Sequence, residues 1–308
     1  MIPRIDFEKL MGNDSDSLAL LERGVRNIGV FIIYNTPIRA GDVTKTLNIY
    51  KEFFLLPAAV KNKVSMAKTG SNRGWGNSQG EQVNPNYNPD FKEVFDNGLE
   101  IDRDDPLSKL SVYSKNIWPD QPKEFSQTIL SYYNKAMALS NNILTKISKT
   151  IGNDDYYFKD KFEKPMALLR GNFYPKRPNW AGERDFGIAS HTDYGCLTLL
   201  ASDGTSGLEI LNLDNKWLEV QFTPGEFVIN FGEMLQMWSN NKVKATQHRV
   251  RGNENERISI PLFFNPSFYT NIAPQHSGDK ITAGDYLTKR YNETYIHLKN
   301  KNKSHECD

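Results

Sequence analysis

The stretch Ser190-His191-Thr192-Asp193-Tyr194-Gly195-Cys196-Leu197-Thr198-Leu199-Leu200 sets an imidazole and a carboxylate two residues apart, just ahead of a run of strand-forming residues. In a strand, residues i and i+2 project to the same face, so His191 and Asp193 are predicted to point into one cavity. Two ligands alone hold a divalent metal weakly. Gln247-His248-Arg249-Val250 supplies a candidate for the third, His248. Two histidines and one carboxylate on one face of a metal leave the opposite positions open, the arrangement associated with non-haem Fe(II) oxygenases.

A lone His-x-Asp occurs often by chance. The chain downstream of His248 gives it weight. Nine residues on come Arg257-Ile258-Ser259-Ile260-Pro261-Leu262-Phe263-Phe264-Asn265-Pro266. Alternation puts Arg257 and Ser259 on one face of this strand and Ile258 and Ile260 on the other. An inward arginine in an apolar strand is costly unless it meets an anion. Its planar fork suits a carboxylate, and the serine adds a hydrogen bond.

Together these pieces resemble the Fe(II)/2-oxoglutarate-dependent dioxygenases of the isopenicillin N synthase-like superfamily. The matching segments are His191-Thr192-Asp193, His248 and Arg257-x-Ser259, with Asp203-Gly204-Thr205-Ser206-Gly207-Leu208-Glu209 between them and Pro224-Gly225-Glu226-Phe227-Val228-Ile229-Asn230 leading to the third ligand. The resemblance covers nearly the whole chain, although Asn35-Thr36-Pro37 stands where that family usually carries Asn-His-Gly. It implies Fe(II) held by His191, Asp193 and His248, and 2-oxoglutarate as co-substrate with its distal carboxylate on Arg257 and Ser259. Asn172 and Tyr174 occupy a position that contributes to co-substrate binding in the family. With O2 as oxidant, the implied reaction converts 2-oxoglutarate to succinate and CO2 and oxidises, normally hydroxylates, a small-molecule substrate. The alternatives are a related iron oxidase that does not consume 2-oxoglutarate, a zinc hydrolase built on the same three ligands, or a non-catalytic metal-binding jelly roll. The zinc hydrolase leaves the arginine-serine strand unexplained.

The rest of the chain predicts an α+β, mainly β fold. Asp14 or Ser15 can cap a helix running to about Asn27, Gly29 ends it, and Val30 to Tyr34 read as a buried strand. A second helix carries Val43, Leu47, Tyr50 and Phe54 on one side. Residues 66–92 are rich in Gly, Asn, Pro and Ser and read as a long loop; relatives place this region beside the substrate cavity. Within it, Gly74-Trp75-Gly76 and Gly80 lack the strand-to-helix context of a phosphate cradle. Arg73-Gly74-Trp75 and Asp90-Phe91-Lys92-Glu93-Val94-Phe95-Asp96 are similar to family segments. The longest helix, roughly 122–151, carries one apolar stripe from Phe125 through Ile129, Tyr132, Ala136, Leu139, Ile143 and Ile147 to Ile151.

From residue 166 the texture changes to short strands and turns. Arg170, Asn172 and Tyr174 share one face of the first strand, which suits a wet cavity; Arg170 is read as structural. Further strands are predicted at 197–201, 208–211, 217–221, 226–230, 245–250 and 257–264, making a double-stranded β-helix (jelly roll) core with an N-terminal α/β region and a long supporting helix. A last helix is predicted over 283–298. The domain reading is an N-terminal region at 1–120, the long helix and jelly-roll core at 121–300, and a disordered tail at 301–308.

Composition narrows the partners. The 308 residues carry 38 Lys and Arg against 37 Asp and Glu, a net charge of +1, so nothing favours nucleic acid or an anionic membrane. No apolar run approaches the 18 residues of a membrane span, and the first residues lack the apolar core of a secretion signal. Cys196 and Cys307 make no disulfide framework. A cytoplasmic monomer is the expectation. Cys196 is read as an inert buried thiol, and His276, His297 and His305 as solvated or tail residues.

Overall fold

Alternation along the strands decides which residues face the helices and which face the cavity. The computed structural model describes residues 1–69, 71–274 and 277–294. The elements run β1 (Arg4–Asp6), α1 (Phe7–Met11), α2 (Ser15–Arg23), β2 (Val30–Tyr34), α3 (Ala40–Phe54), α4 (Ala58–Lys61), α5 (Met66–Thr69), β3 (Gly74–Gly76) and β4 (Glu93–Gly98) in the N-terminal part. They continue with α6 (Phe125–Thr150), β5 (Leu168–Tyr174), β6 (Ile188–His191), β7 (Leu197–Ser202), β8 (Leu208–Leu211), β9 (Trp217–Glu219), β10 (Phe227–Phe231), α7 (Glu233–Trp238), β11 (His248–Val250), β12 (Arg257–Phe264) and α8 (Ala283–Thr294).

Eight strands form one sheet in the order β1-β2-β10-β7-β12-β5-β4-β3, and four form a second, β6-β11-β8-β9. All pairings are antiparallel except β1 with β2. The outward residues of the large sheet, among them Leu169 and Phe173 of β5, Leu197 and Leu199 of β7, Ile229 of β10 and Ile258, Ile260 and Leu262 of β12, join one core with α3 and α6. Their neighbours along the strands point the other way. Tyr174, Leu200 and Val228 meet Leu208, Ile210 and Val250 of the small sheet in a second core. The jelly-roll prediction holds, and the polar residues of β5 and β12 lie on the inner side.

The stripe on α6 is the support. Every residue of it from Phe125 to Ile151 is buried in the first core, against α3, β7 and β12. Ile143 is fully buried, so Ile143→Ala removes methyl groups that the packing cannot replace. The substitution should lower the unfolding free energy by about 2–5 kcal/mol, read as a drop in the urea midpoint with co-substrate affinity retained.

Several predicted boundaries shift. Asp14 does cap α2, its carboxylate accepting from Ser17 N at 2.9 Å. The helix then continues as a π turn over Gly24–Ile28, and Gly29 stops it at φ 73°, where an added Cβ would run into the Lys244 carbonyl. Residues 66–92 are not wholly loop: α5 and β3 lie within them, β3 adding an edge strand beside β4. β11 begins only at His248 and β9 ends at Glu219. α8 is described to Thr294; the predicted continuation to 298, the tail at 301–308, Cys307 and the histidines His276, His297 and His305 lie outside the described residues. Among the described residues, no helix is long and apolar enough to cross a membrane.

Candidate active site

His191 is the last residue of β6 and His248 the first of β11, and the two are paired across the antiparallel ladder. Neighbouring strands therefore bring their rings together, with centroids 4.3 Å apart. Each ring is oriented from behind. His191 Nδ1 lies 2.7 Å from the Ala189 carbonyl and His248 Nδ1 lies 3.1 Å from the Thr246 carbonyl. A carbonyl only accepts, so both Nδ1 atoms carry the proton and both Nε2 lone pairs face the cavity.

Asp193 reaches the same point by a different route from the one predicted. It lies beyond the end of β6, so strand alternation does not align it with His191. Its carboxylate is instead gripped at one oxygen: Oδ2 accepts from Thr198 Oγ1 at 2.5 Å and from Asn230 Nδ2 at 2.7 Å. Oδ1 is left 3.7 Å from His191 Nε2 and 3.6 Å from His248 Nε2. Those separations exceed a hydrogen bond. Behind it, Gly232 passes so close that a Cβ would stand 2.6 Å from the Asp193 carbonyl oxygen. Neither Thr198 nor Asn230 was singled out from the sequence as a site residue. The available signal was a polar residue on the inner face of an otherwise apolar strand, Asn230 in Phe227–Phe231.

The electrostatics agree with a ligand set. Burial lowers His191 to about 3, His248 adding to the effect, so its imidazole is neutral at ordinary pH. Burial alone would raise Asp193, but His248, His191 and the Thr198 and Asn230 hydrogen bonds hold it below its usual value as a carboxylate. Two imidazole nitrogens and one carboxylate oxygen converge within 4.8 Å. This donor set fits a divalent ion with open positions. Asn230→Ala should free the carboxylate to rotate and weaken metal affinity about 10–100-fold, measured by Fe(II) titration with circular dichroism unchanged.

The two sheets enclose a cavity that reaches from this cluster to Arg257. In the ladder Arg257 stands opposite Tyr174 and Ser259 opposite Asn172, so all four predicted residues share one wall. Arg257 is only 3% exposed and makes no ion pair among the described residues. Its Nε donates to the Thr205 carbonyl at 3.2 Å, fixing the guanidinium, while Nη1 is buried with no partner. The guanidinium carbon lies 5.2 Å from the centre of the Tyr174 ring. Asn172 Nδ2 donates to Ser259 Oγ at 3.4 Å, and Asn172 Oδ1 lacks a partner. A buried cation with an unused N–H calls for an anion.

Other groups frame the site. Arg170 also lines the cavity, held by Asp96 through two hydrogen bonds of 2.7 and 2.6 Å. The 77–92 segment clasps β6, with Asn84 Nδ2 donating to the Ser190 carbonyl at 2.9 Å, and contributes Glu81, Val83 and Lys92 to the cavity. Glu233 of α7 receives hydrogen bonds from Thr192 and from Tyr286 and Arg290 of α8, tying the last helix to the His-x-Asp turn. Cys196 is buried in the core, and burial pushes its thiol well up.

Known proteins resemble this chain in sequence and in fold. Residues 165–266 match the family model of the 2OG-Fe(II) oxygenase superfamily, and residues 2–121 match that of the non-haem dioxygenase in morphine synthesis N-terminal region. The chain is similar to a 2-oxoglutarate-Fe(II) type oxidoreductase of Aspergillus fumigatus, 32% identical over 86% of this chain and 83% of that protein. It is also similar to a homoarginine-6-hydroxylase of Arabidopsis thaliana, 32% identical over 82% of this chain and 78% of that protein. Among solved structures, a full-length Neurospora crassa protein crystallised in complex with alpha-KG superposes with a TM-score of 0.83, 25% identity and coverage of 95% of this chain and 96% of that one. The chain belongs to the 2OG-Fe(II) oxygenase superfamily and is a 2-oxoglutarate-dependent dioxygenase that uses Fe(II) and O2.

Proposed function

We propose that His191, Asp193 and His248 are the iron ligands, that Arg257 and Ser259 hold the distal carboxylate of 2-oxoglutarate, and that the enzyme hydroxylates a small molecule. The observation that carries this reading is the buried Nη1 of Arg257, which has no partner among the described residues and shares an inner wall with Tyr174, Asn172 and Ser259. When bound, iron and 2-oxoglutarate supply O2 activation, coupling decarboxylation to succinate and CO2 with oxidation of a substrate C–H bond.

The protein's own part is orientation and enclosure. Ala189 and Thr246 hold the two imidazoles with Nε2 inward, and Thr198 and Asn230 hold Asp193 with Oδ1 inward. Arg257 and Ser259 offer N–H and O–H donors to a carboxylate, and the Tyr174 ring backs the guanidinium. Leu200, Leu208 and Val250 make the adjoining surface apolar and exclude water from the chain of the co-substrate. Hydroxylation, rather than desaturation or ring closure, is supported by the hydroxylase among the relatives. A near-neutral chain supports a small-molecule substrate over nucleic acid, and a chain with only two cysteines fits a reducing, cytoplasmic setting. The division at residues 120 and 121 is supported by the two separate family matches.

The test is Fe(II)-dependent succinate release, with 2-oxoglutarate alone and then with candidate substrates. Succinate should appear only with both iron and 2-oxoglutarate present; iron-dependent O2 consumption without succinate would contradict the reading. Tyr174→Phe should weaken 2-oxoglutarate by about 1 kcal/mol, seen as a roughly fivefold higher half-saturating concentration. No change would show that the hydroxyl does not reach the co-substrate.

A further inference from the structure

The same cavity holds a second buried polar cluster. Glu81, Lys92 and Arg170 line the cavity there, with Asp90 and Asp96 behind them, and all five are buried. Lys92 Nζ lies 2.8 Å from Glu81 Oε2 and 3.0 Å from Asp90 Oδ2. Arg170 donates to both oxygens of Asp96 and, from Nη1, to Glu81 Oε2 at 3.0 Å. This is the Asp90-Phe91-Lys92-Glu93-Val94-Phe95-Asp96 segment, whose chemistry the iron and co-substrate sites do not use.

The cluster is balanced in charge. Glu81, Asp90 and Asp96 face Lys92, Arg170 and the buried Arg73, whose charge also acts on Asp96. Burial pushes Asp90 up to about 6, while Arg170 and Lys92 outweigh burial to bring Glu81 down to about 2, so both are ionised above pH 7. A charged substrate group placed here would find no unused counter-charge and would be desolvated, which is costly. Hydrogen-bonding capacity does remain. The contacts to Glu81 and Asp90 use two of the three ammonium protons of Lys92. Glu81 Oε1, 2.8 Å from Arg170 Nη2, accepts no well-formed hydrogen bond among the described residues. A donor and an acceptor thus stand side by side on the two ends of one ion pair.

We propose that Glu81 and Lys92 are the specificity site for the oxidised substrate, reading the adjacent N–H and carbonyl of an uncharged amide, lactam or ureide group. Glu81 accepts from the N–H and Lys92 donates to the carbonyl. The charge balance of the surrounding acids and bases rejects carboxylates and ammonium groups of the same size. This assignment rests on the dioxygenase reading of the cavity, in which Arg257 holds the co-substrate carboxylate.

The experiment uses the full chain loaded with Fe(II) and 2-oxoglutarate under anaerobic conditions at pH 7.5. Benzamide, benzoate and benzylammonium are titrated as one matched set, and the corresponding cyclohexane compounds as another, reading the change in the Fe(II)–2-oxoglutarate absorbance. The amides should bind at least about tenfold more tightly than either charged partner. Lys92→Gln should narrow the gap for the ammonium compounds, and Glu81→Gln the gap for the carboxylates, each normalised to 2-oxoglutarate affinity in the same variant. Equal or tighter binding of a charged member overturns the proposal, and so does failure of both amides to bind. Loss of the 2-oxoglutarate absorbance itself in wild type would instead overturn the underlying dioxygenase assignment, so the two failures are distinguishable.

Discussion

Arg257→Ala should raise the 2-oxoglutarate concentration needed for half-maximal succinate release by a factor on the order of 30 to several thousand. The range follows from the roughly 2–5 kcal/mol lost when one partner of a buried charged pair is truncated. Arg257 is positioned for such a pair. Its Nε is committed to the Thr205 carbonyl, Nη1 is buried and unpartnered, and no carboxylate of the described residues neutralises it. Iron affinity should change little, because the triad is built on β6, β7, β10 and β11, whereas Arg257 stands on β12. Arg257→Lys should recover only part of the loss, since an ammonium cannot reproduce the planar fork. Ser259→Ala should shift the requirement in the same direction by less. An Arg257→Ala enzyme that saturates at the wild-type concentration would remove the anion pocket from the account.

The second large effect is at the metal. His191→Ala, Asp193→Ala and His248→Ala should each abolish succinate release and sharply weaken Fe(II) binding, with circular dichroism showing a folded protein. The fold should survive because these side chains lie between the two sheets and are absent from the cores that hold α3 and α6 to the large sheet. Asp193→Asn discriminates further. It keeps the shape and the Oδ1 position but removes the charge, and it sets an amide group against the Asn230 and Thr198 donors. Turnover should fall nearly as far as in Asp193→Ala. A variant of any of the three positions that keeps wild-type iron affinity is not a ligand variant, and the triad would need another member.

Much of this was legible in the sequence because period-two alternation is a local property. Arg257 and Ser259 inward with Ile258 and Ile260 outward, and Arg170, Asn172 and Tyr174 against Leu169 and Phe173, need nothing beyond one strand, and the ladder reproduces both sets. The stripe on α6 is equally local. Asp193 was found for an incomplete reason. His191 ends its strand, and what aims Asp193 is a pair of donors five and thirty-seven residues away in sequence. Contacts of that separation depend on which strands become neighbours, here β7 and β10, and no spacing rule encodes it. The same holds for Glu233, whose partners Thr192, Tyr286 and Arg290 come from two distant segments. The short strand β3 inside the 66–92 segment was hidden by its glycines, which signal turns in a sequence. At Gly76 the glycine serves an approach to Val94 on the neighbouring strand, 2.8 Å from where a Cβ would stand.

The most direct test of the central claim, that 2-oxoglutarate spans from the His191-Asp193-His248 cluster to Arg257, is an anaerobic titration of the Fe(II)-loaded protein with 2-oxoglutarate, following the visible charge-transfer absorbance. Wild type should develop the band with one equivalent bound per chain, and Arg257→Ala should develop the same band only at much higher concentration. A wild-type protein that binds Fe(II) but never shows the band, or a band whose concentration dependence is indifferent to Arg257, would contradict the account.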